Sequence, residues 1–425
     1  MLKKPFRHIK DFIKESLYRN SLYLIIDSVL LAGTGFLFWI VATRIYSSED
    51  VGLAAAMISA VGLIGLISML GLDYSLVRFL GNAGDKARSL LNSCISIGTI
   101  TAVICASVFI IGIGWWSPDL KVIQDNWLII LVFVSASVSM VLASYVQQVY
   151  VANRKSVYVL IQQGLLFGVG RFIPLFILAM FYKNFGIFMA YGIGLTFAST
   201  IGLIYFTRRI YKDYRYSPMI KFNQIRDMGN FPITNYLSGL FWTMPNSILP
   251  LIVIGVLGAV QNAYFYIAWA IGNVLLIVPA SISYSLLAEG SYDNDRLTKD
   301  TTRSLKLIYS FLLPVVVIIM LFGDKLLGVF GLEYSQNSLT LLYVLCVSSL
   351  PFALNNIYFS VKRVLKQMWW VVGMSISIVF VTIALSLYLM PIYGINGVGY
   401  AWLIAHSLAA IIHLYLLVRL VKNES

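Results

Sequence analysis

Two charged side chains stand inside long apolar runs of this 425-residue chain, Asp27 and Arg171. A charge near mid-bilayer costs about 2.5–3.5 kcal/mol on insertion scales, so each needs a partner or water. Arg171 has the chemistry to meet an anionic group. Asp27 can take a proton, a cation or a sugar hydroxyl. The alternative is an Asp27–Arg171 ion pair that only holds helices together. Two polar stripes form the second signal. Asn235, Gly239, Trp242 and Asn246 recur at i, i+4, i+7 and i+11, and Asn262, Tyr266, Trp269 and Asn273 repeat that spacing. Each set marks one face of a helix. Amides bond sugar hydroxyls and indole rings stack on apolar sugar faces, so the stripes suit a carbohydrate path. Asparagine as interhelical glue is the competing reading. Pro245, Pro250 and Pro279 fall within the same runs and predict bent or broken helices. His406 and His413, seven residues apart, share a face as a proton relay or as hydrogen-bonded packing residues.

None of these residues forms a catalytic set. The chain has no Walker loop, and no His/Cys/acid cluster has metal-ligand spacing. No catalytic residue, metal site or cofactor is expected, and nothing points to nucleic acid. An energy source, if there is one, would be a coupling ion or the membrane potential.

The elements that must position these residues follow from composition. Hydrophobic residues make up 59% of the chain, charged residues 12%, and the mean hydropathy is +0.84. A soluble domain is nearer 45–50% apolar and 25% charged. About 20 apolar residues cross the hydrocarbon core. Twelve such runs occur, at 22–43, 51–72, 91–113, 127–151, 158–182, 186–206, 231–257, 263–287, 307–323, 339–360, 369–390 and 395–418. Of the 31 Lys and Arg residues, 26 lie in the leader, the tail and the loops on their side, and four lie opposite. The positive-inside rule then places both termini in the cytoplasm of a cell-membrane protein. The expected organisation is a basic leader (1–21), a six-helix lobe (22–206), a basic linker (207–230), a second lobe (231–418) and a tail (419–425). In the leader, Phe6, Ile9, Ile13 and Leu17 share a face among basic residues, which suits either an interfacial helix or a solvated tail.

The halves resemble each other at an offset of about 208–211 residues. Tyr74-Ser75-Leu76 matches Tyr284-Ser285-Leu286, and Gln147-Gln148-Val149-Tyr150 matches Asn355-Asn356-Ile357-Tyr358. Asn184-Phe185-Gly186-Ile187 likewise matches Ile392-Tyr393-Gly394-Ile395. Six helices per half is an even number, so the repeat is parallel, with its pseudo-twofold axis along the membrane normal. At this offset Asp27 falls on Asn235.

Three segments resemble a known family. Phe38-Trp39-Ile40-Val41-Ala42-Thr43-Arg44-Ile45-Tyr46 followed by Glu49-Asp50-Val51-Gly52-Leu53-Ala54 is similar to the start of polysaccharide-biosynthesis flippases. Gly71-Leu72-Asp73-Tyr74-Ser75-Leu76-Val77-Arg78-Phe79-Leu80 resembles their motif after the second helix. Tyr393-Gly394-Ile395-Asn396-Gly397-Val398-Gly399-Tyr400-Ala401 resembles their last helix. The motif residues are thus Arg44, Gly52, Gly71, Asp73, Arg78, Gly394 and Gly397. These flippases belong to the multidrug/oligosaccharidyl-lipid/polysaccharide (MOP) exporter superfamily. The resemblance implies an all-α, MATE-like, V-shaped fold of two lobes that works by alternating access. It assigns the cavity wall to helices one, two, seven and eight.

On this resemblance the chain moves a polyprenyl-(pyro)phosphate-linked oligosaccharide from the inner to the outer leaflet. The partners it implies are the lipid-linked glycan, membrane lipids and glycan-assembly proteins. Two alternatives stand beside it: a cation-coupled multidrug exporter of the same superfamily, with Asp27 as coupling site, and a non-catalytic scaffold of a glycan-assembly complex. The cavity candidates are Asp27, Arg171, Asn235, Trp242, Asn246, Tyr266, Trp269 and Asn273.

Overall fold

A computed structural model describes residues 16–81, 83–181, 185–229, 231–292 and 296–424. The described residues are helical with short connections, and twelve helices are long and apolar enough to cross a membrane. They are α1 (Ser16–Ile45), α2 (Ser48–Ser68), α3 (Ala87–Trp116), α4 (Trp127–Ala152), α5 (Val157–Phe181) and α6 (Gly186–Ile210). Then follow α7 (Phe231–Leu257), α8 (Ala259–Tyr292), α9 (Leu297–Gly328), α10 (Leu332–Val364), α11 (Met368–Tyr393) and α12 (Ile395–Glu424). Most of the interfacial segment expected in the leader lies outside the described residues.

Several helices outlast their apolar runs. The run at 307–323 becomes the 32-residue α9, about 48 Å long at 1.5 Å per residue. Hydropathy marks the part of a helix in hydrocarbon. It does not mark where the backbone stops coiling. Span two differs in the other direction. The run at 51–72 stops at Ser68, because Leu70 and Gly71 take φ of 51° and 71°. The Tyr74-Ser75-Leu76 triplet therefore lies beyond the second span. It sits in a separate amphipathic helix, Leu72–Leu80, which buries Leu72, Leu76 and Leu80.

Local chemistry sets the helix starts. Ser47 and Asp50 cap α2 reciprocally: the Asp50 N–H donates to Ser47 Oγ (3.2 Å) and the Ser47 N–H to Asp50 Oδ2 (3.3 Å). Asn126 caps α4, its side chain accepting from the Leu128 N–H at 3.0 Å.

Two compact units emerge, Met1–Tyr46 with Met57–Leu240, and Ser47–Ala56 with Phe241–Ser425. One break falls between α1 and α2, one inside α2 and one inside α7. The 207–230 linker belongs to the first unit and is strapped to the start of α3. Tyr214 Oη donates to Asn92 Oδ1 (2.6 Å), the Lys221 N–H to Ser93 Oγ (3.0 Å) and the Met219 N–H to Ser96 Oγ (3.2 Å). Gln224 Nε2 bonds Ser89 Oγ at 2.8 Å. These four α3 residues form an i, i+3, i+4, i+7 stripe that satisfies linker groups which would otherwise face apolar surface.

In the second unit the start of α2 meets α8 closely. A Cβ on Gly52 would fall 1.7 Å from the Ala259 carbonyl oxygen, so only glycine fits this crossing. Asn262 Nδ2 donates to the Gly52 carbonyl at 2.8 Å. Nearby, Ser48 Oγ and Tyr264 Oη both donate to Glu333 Oε2, at 2.8 and 3.1 Å.

Candidate functional site

In the first unit, α5 is irregular. Its residues Leu160–Val169 form a π-helix, closed by the Gly170 N–H bonding the Leu165 carbonyl at 3.0 Å. Long π segments are rare and concentrate where a helix is under functional or packing demand. Here α1 approaches closely along two glycines. A Cβ on Gly164 would sit 2.8 Å from Leu30 Cδ2 and 3.2 Å from Asp27 Oδ1, and one on Gly168 would sit 2.7 Å from Thr34 Oγ1. Asp27 is 6% exposed, and its Oδ1 has no hydrogen-bond partner among the described residues.

Arg171 is equally buried at 6% but is held elsewhere on α1. Its guanidinium carbon lies 4.6 Å from the Phe38 ring centroid and 4.8 Å from that of Phe167, and a Cβ added to Gly35 would lie 3.6 Å from Nη2. Two rings on one cation are a favourable cage. Gly35 and Phe38 lie eight and eleven residues beyond Asp27, or about 12–16 Å along the helix. The two charges share the α1/α5 contact without forming the ion pair that the sequence allowed. Gln162, not among the sequence candidates, is fully buried in the π segment with both amide atoms unpartnered among the described residues. Its signal is an amide inside an apolar run.

In the second unit a cavity of about 440 Å³ is lined by Trp242, Pro245, Asn246, Asn273, Phe352 and Trp402, among others. Trp242, Asn246 and Asn273 of the expected stripes meet there. Trp269 is buried behind them and donates Nε1 to Asn246 Oδ1 at 3.1 Å, while its ring stacks on Phe265 and meets the Trp402 edge at 5.0 Å. It positions Asn246 rather than lining the space. Tyr266 is half-buried and is not among the lining residues. Asn262, one turn earlier, serves the Gly52 contact instead. The side chain of Asn235 lies outside the described residues, so the Asp27–Asn235 correspondence has no geometry. Phe352 and Trp402 come from α10 and α12, and no stripe shared with α7 and α8 announced them.

Both prolines of α7 lie inside one continuous helix, where a break was one expectation. Pro245 has no N–H, which leaves the Phe241 carbonyl, one turn earlier, without its usual donor beside the cavity.

The two histidines of α12 are joined by one amide. Asn355 Nδ2 approaches His406 Nδ1 (3.2 Å) and donates to the His406 carbonyl (3.0 Å), and His413 Nδ1 meets Asn355 Oδ1 (2.7 Å). An amide oxygen only accepts, so His413 carries its proton on Nδ1. The amide nitrogen only donates, so His406 Nδ1 is bare. His413 stacks on Tyr358 at 4.1 Å and His406 packs on Trp402 at 4.2 Å. This is a packed hydrogen-bonded cluster.

Each motif residue has a defined place in the fold. Gly71 and Gly394 (φ 71° and 59°) turn the chain after α2 and after α11. Gly397 approaches the Leu389 backbone so closely that a Cβ would sit 2.6 Å away. Asp73 occupies the first turn of the short helix, where the positive end of the dipole favours a carboxylate. Burial nevertheless pushes its carboxyl above the usual range. Arg78 lies against the Phe79 ring at 5.6 Å, and Arg44 sits in the last turn of α1, where cations are favoured.

Solved structures share this architecture. The chain superposes on a lipid II flippase, MurJ, in an inward closed conformation with a TM-score of 0.75 and 12% identity, covering 92% of this chain and 87% of that one. An inward-facing multidrug resistance MATE family transporter of the MOP superfamily gives 0.71 and 14%, covering 95% and 98%. A mutant of the Vibrio cholerae MATE transporter VcmN gives 0.60 and 14%, covering 96% and 97%. At these identities the likeness establishes the fold alone. No curated protein matches the sequence. The model of one family, described as polysaccharide biosynthesis protein, matches residues 17–287, more than half the chain. The chain, a multi-pass membrane protein with the fold of MOP-superfamily transporters, belongs to the polysaccharide biosynthesis protein family.

Proposed function

We propose that this protein flips a polyprenyl-(pyro)phosphate-linked oligosaccharide from the inner to the outer leaflet of the cell membrane by alternating access. The observation that carries the reading is the second-unit cavity, lined by both amides (Asn246, Asn273) and indoles (Trp242, Trp402). About 440 Å³ falls within the usual size of ligand pockets. A water-filled cavity there gives the amides hydroxyl or water partners, which lipid would deny them. The prenyl tail stays in lipid while the headgroup crosses. Each charge is worth about 2.3 kcal/mol per 100 mV. An inside-negative potential thus favours outward passage of a doubly anionic headgroup by about 4–5 kcal/mol per 100 mV. Both termini are cytoplasmic in this reading. Membrane lipids and glycan-assembly proteins are the partners, and no cofactor is needed.

The test is gene deletion followed by leaflet-resolved analysis of lipid-linked glycan. Accumulation on the inner leaflet supports the reading; an unchanged distribution refutes it. Asp27, buried with an unpartnered oxygen among the described residues, favours a second reading, a cation-coupled exporter. Proton-dependent extrusion of a cationic dye from proteoliposomes, abolished by Asp27→Asn, would establish that one instead.

A further inference from the structure

The 207–230 linker lies against α3 as a dip and a return. Arg88 Nη2 donates to the Lys212 carbonyl at 2.6 Å. The bonds to Asn92, Ser96, Ser93 and Ser89 then come in turn from Tyr214, Met219, Lys221 and Gln224. Tyr216 Oη also meets Ser96 Oγ, at 3.1 Å. The chain therefore runs down α3 from Arg88 to Ser96, turns around Ser217 and Pro218, and climbs back to Ser89. From Ser89 to Ser96 is about 10 Å along the helix. Ser96 lies inside the apolar run that begins at residue 91, about 8 Å past its start.

The face of α3 that the linker covers does not stop at Ser96. Ile100, Val103, Ile104 and Ile111 continue it at helical spacing, and all four are exposed. On a membrane-spanning helix such an apolar face is solvated by lipid. The turn of the linker thus ends where the lipid-facing surface begins. The exposed apolar side chains on and beside the turn are Tyr216, Ile220 and Phe222, the last 74% exposed. Residues of these types favour the boundary between headgroups and acyl chains.

The basic residues divide into two sets. Arg88 and Arg208 hold linker carbonyls, those of Lys212 and Tyr214, and Arg209 bonds Tyr205. The side chains of Lys212, Arg215, Lys221 and Arg226 are exposed and make no hydrogen bond or ion pair among the described residues. Lys221 holds Ser93 through its backbone alone. The acids of the segment are Asp213 and Asp227, against six basic side chains, so its net charge is positive.

We propose that the linker is a membrane-seated strap. Tyr216, Ile220 and Phe222 lie at the boundary of headgroups and acyl chains, and Lys212, Arg215, Lys221 and Arg226 bind the phosphate groups of anionic phospholipids around them. Interfacial elements bury their apolar face by about 5–10 Å, and the dip along α3 matches that depth. By the distribution of basic residues the leaflet is the cytoplasmic one, whose anionic lipids attract such segments. The polar stripe on α3 then gives the linker hydrogen-bond partners at a depth where water is scarce. This seating is independent of what the protein transports.

The experiment uses the full chain without its three native cysteines, in nanodiscs of mixed phosphatidylcholine and phosphatidylglycerol. Spin labels at Ile220→Cys and Phe222→Cys are read for collision with oxygen, which concentrates among acyl chains, and with a water-soluble nickel chelate. Asp85→Cys, exposed in the loop before α3, is the aqueous reference, and Ile104→Cys is the lipid reference. Both linker labels should fall between the two references. Nickel access equal to that at position 85 overturns the seating. For the charges, native mass spectrometry counts the phosphatidylglycerol that stays bound through detergent purification. Each basic residue near an anionic surface is worth a factor of about five. The triple variant Arg215→Gln, Lys221→Gln, Arg226→Gln should therefore retain at least about fivefold less phosphatidylglycerol, with phosphatidylcholine unchanged. The matched triple Lys299→Gln, Arg303→Gln, Lys306→Gln, exposed on α9, should retain the wild-type amount. Wild-type retention in the linker triple, or an equal loss in the α9 triple, overturns the anionic-lipid site. The replaced side chains make none of the bonds that hold the linker to α3, and each single variant should show part of the loss, so the graded series decides even where the triple does not fold.

Discussion

Replacing Gly52 with alanine adds one methyl group at the tightest contact between α2 and α8. The new Cβ would lie 1.7 Å from the Ala259 carbonyl oxygen, 2.6 Å from its carbon and 3.1 Å from the Ala263 nitrogen. All three are backbone atoms of a helix, so no side chain can rotate away. An ordinary carbon–oxygen contact is about 3.3 Å, so the helices must part by about 1.6 Å. Overpacking of this kind costs about 1–3 kcal/mol. The same shift stretches the 2.8 Å bond from Asn262 Nδ2 to the Gly52 carbonyl. Asn262 Oδ1 already has no partner among the described residues, so the buried amide would lose its remaining bond. That adds about 1–3 kcal/mol, for a total of about 2–6 kcal/mol. Thermal unfolding of the detergent-solubilised protein, followed by loss of the monodisperse gel-filtration peak, reads the change. Gly33→Ala is the control: no heavy atom lies within 4 Å of its added Cβ, so it should be neutral. Asn262→Ala alone should destabilise by about 1–3 kcal/mol. Combined with Gly52→Ala it should add less than its own cost, because the bond is already broken. A Gly52→Ala protein as stable as wild type, or full additivity with Asn262→Ala, would refute the close crossing.

Three further outcomes follow from the geometry. Asp27→Asn and Arg171→Gln should be additive in stability within about 0.5 kcal/mol, because the two side chains do not meet; strong rescue in the double variant would restore the ion pair. Trp269→Phe keeps the ring on Phe265 but loses the donor to Asn246, so under the proposed flippase reading lipid-linked glycan transport should fall several-fold with a stability loss of about 0.5–1.5 kcal/mol; full transport would show that Asn246 needs no positioning. In a background lacking Cys94, Cys105 and Cys346, Asp119→Cys should react with an impermeant thiol reagent in intact cells and Arg215→Cys should not, both positions being exposed; the reverse pattern would invert the topology.

The twelve helices were legible from one quantity, the length of apolar runs against the thickness of hydrocarbon. That signal is local, since each span satisfies its own backbone within the helix. The stripes on α7 and α8 were legible for the same reason, because helical periodicity is fixed by residue spacing. What spacing could not say was what each face meets. Asn246 and Asn273 turn out to share a cavity, while Asn262, in the same stripe, bonds the backbone of α2. Within the family motifs, Gly71 and Gly394 sit at turns of the chain and Gly52 at a helix crossing.

The sequence by itself determined the class, the span count and the positions of costly intramembrane charges. Those follow from the transfer energies of single residues and need no neighbours. Only the tertiary structure decided partners. It caged Arg171 between Phe38 and Phe167 and left Asp27 at least two turns away along α1. It brought Phe352 and Trp402 to the cavity. Pairings such as Phe38 with Arg171, or Trp242 and Trp402 on one cavity, join residues more than a hundred positions apart and depend on which helices pack together. No periodicity within one helix encodes that choice.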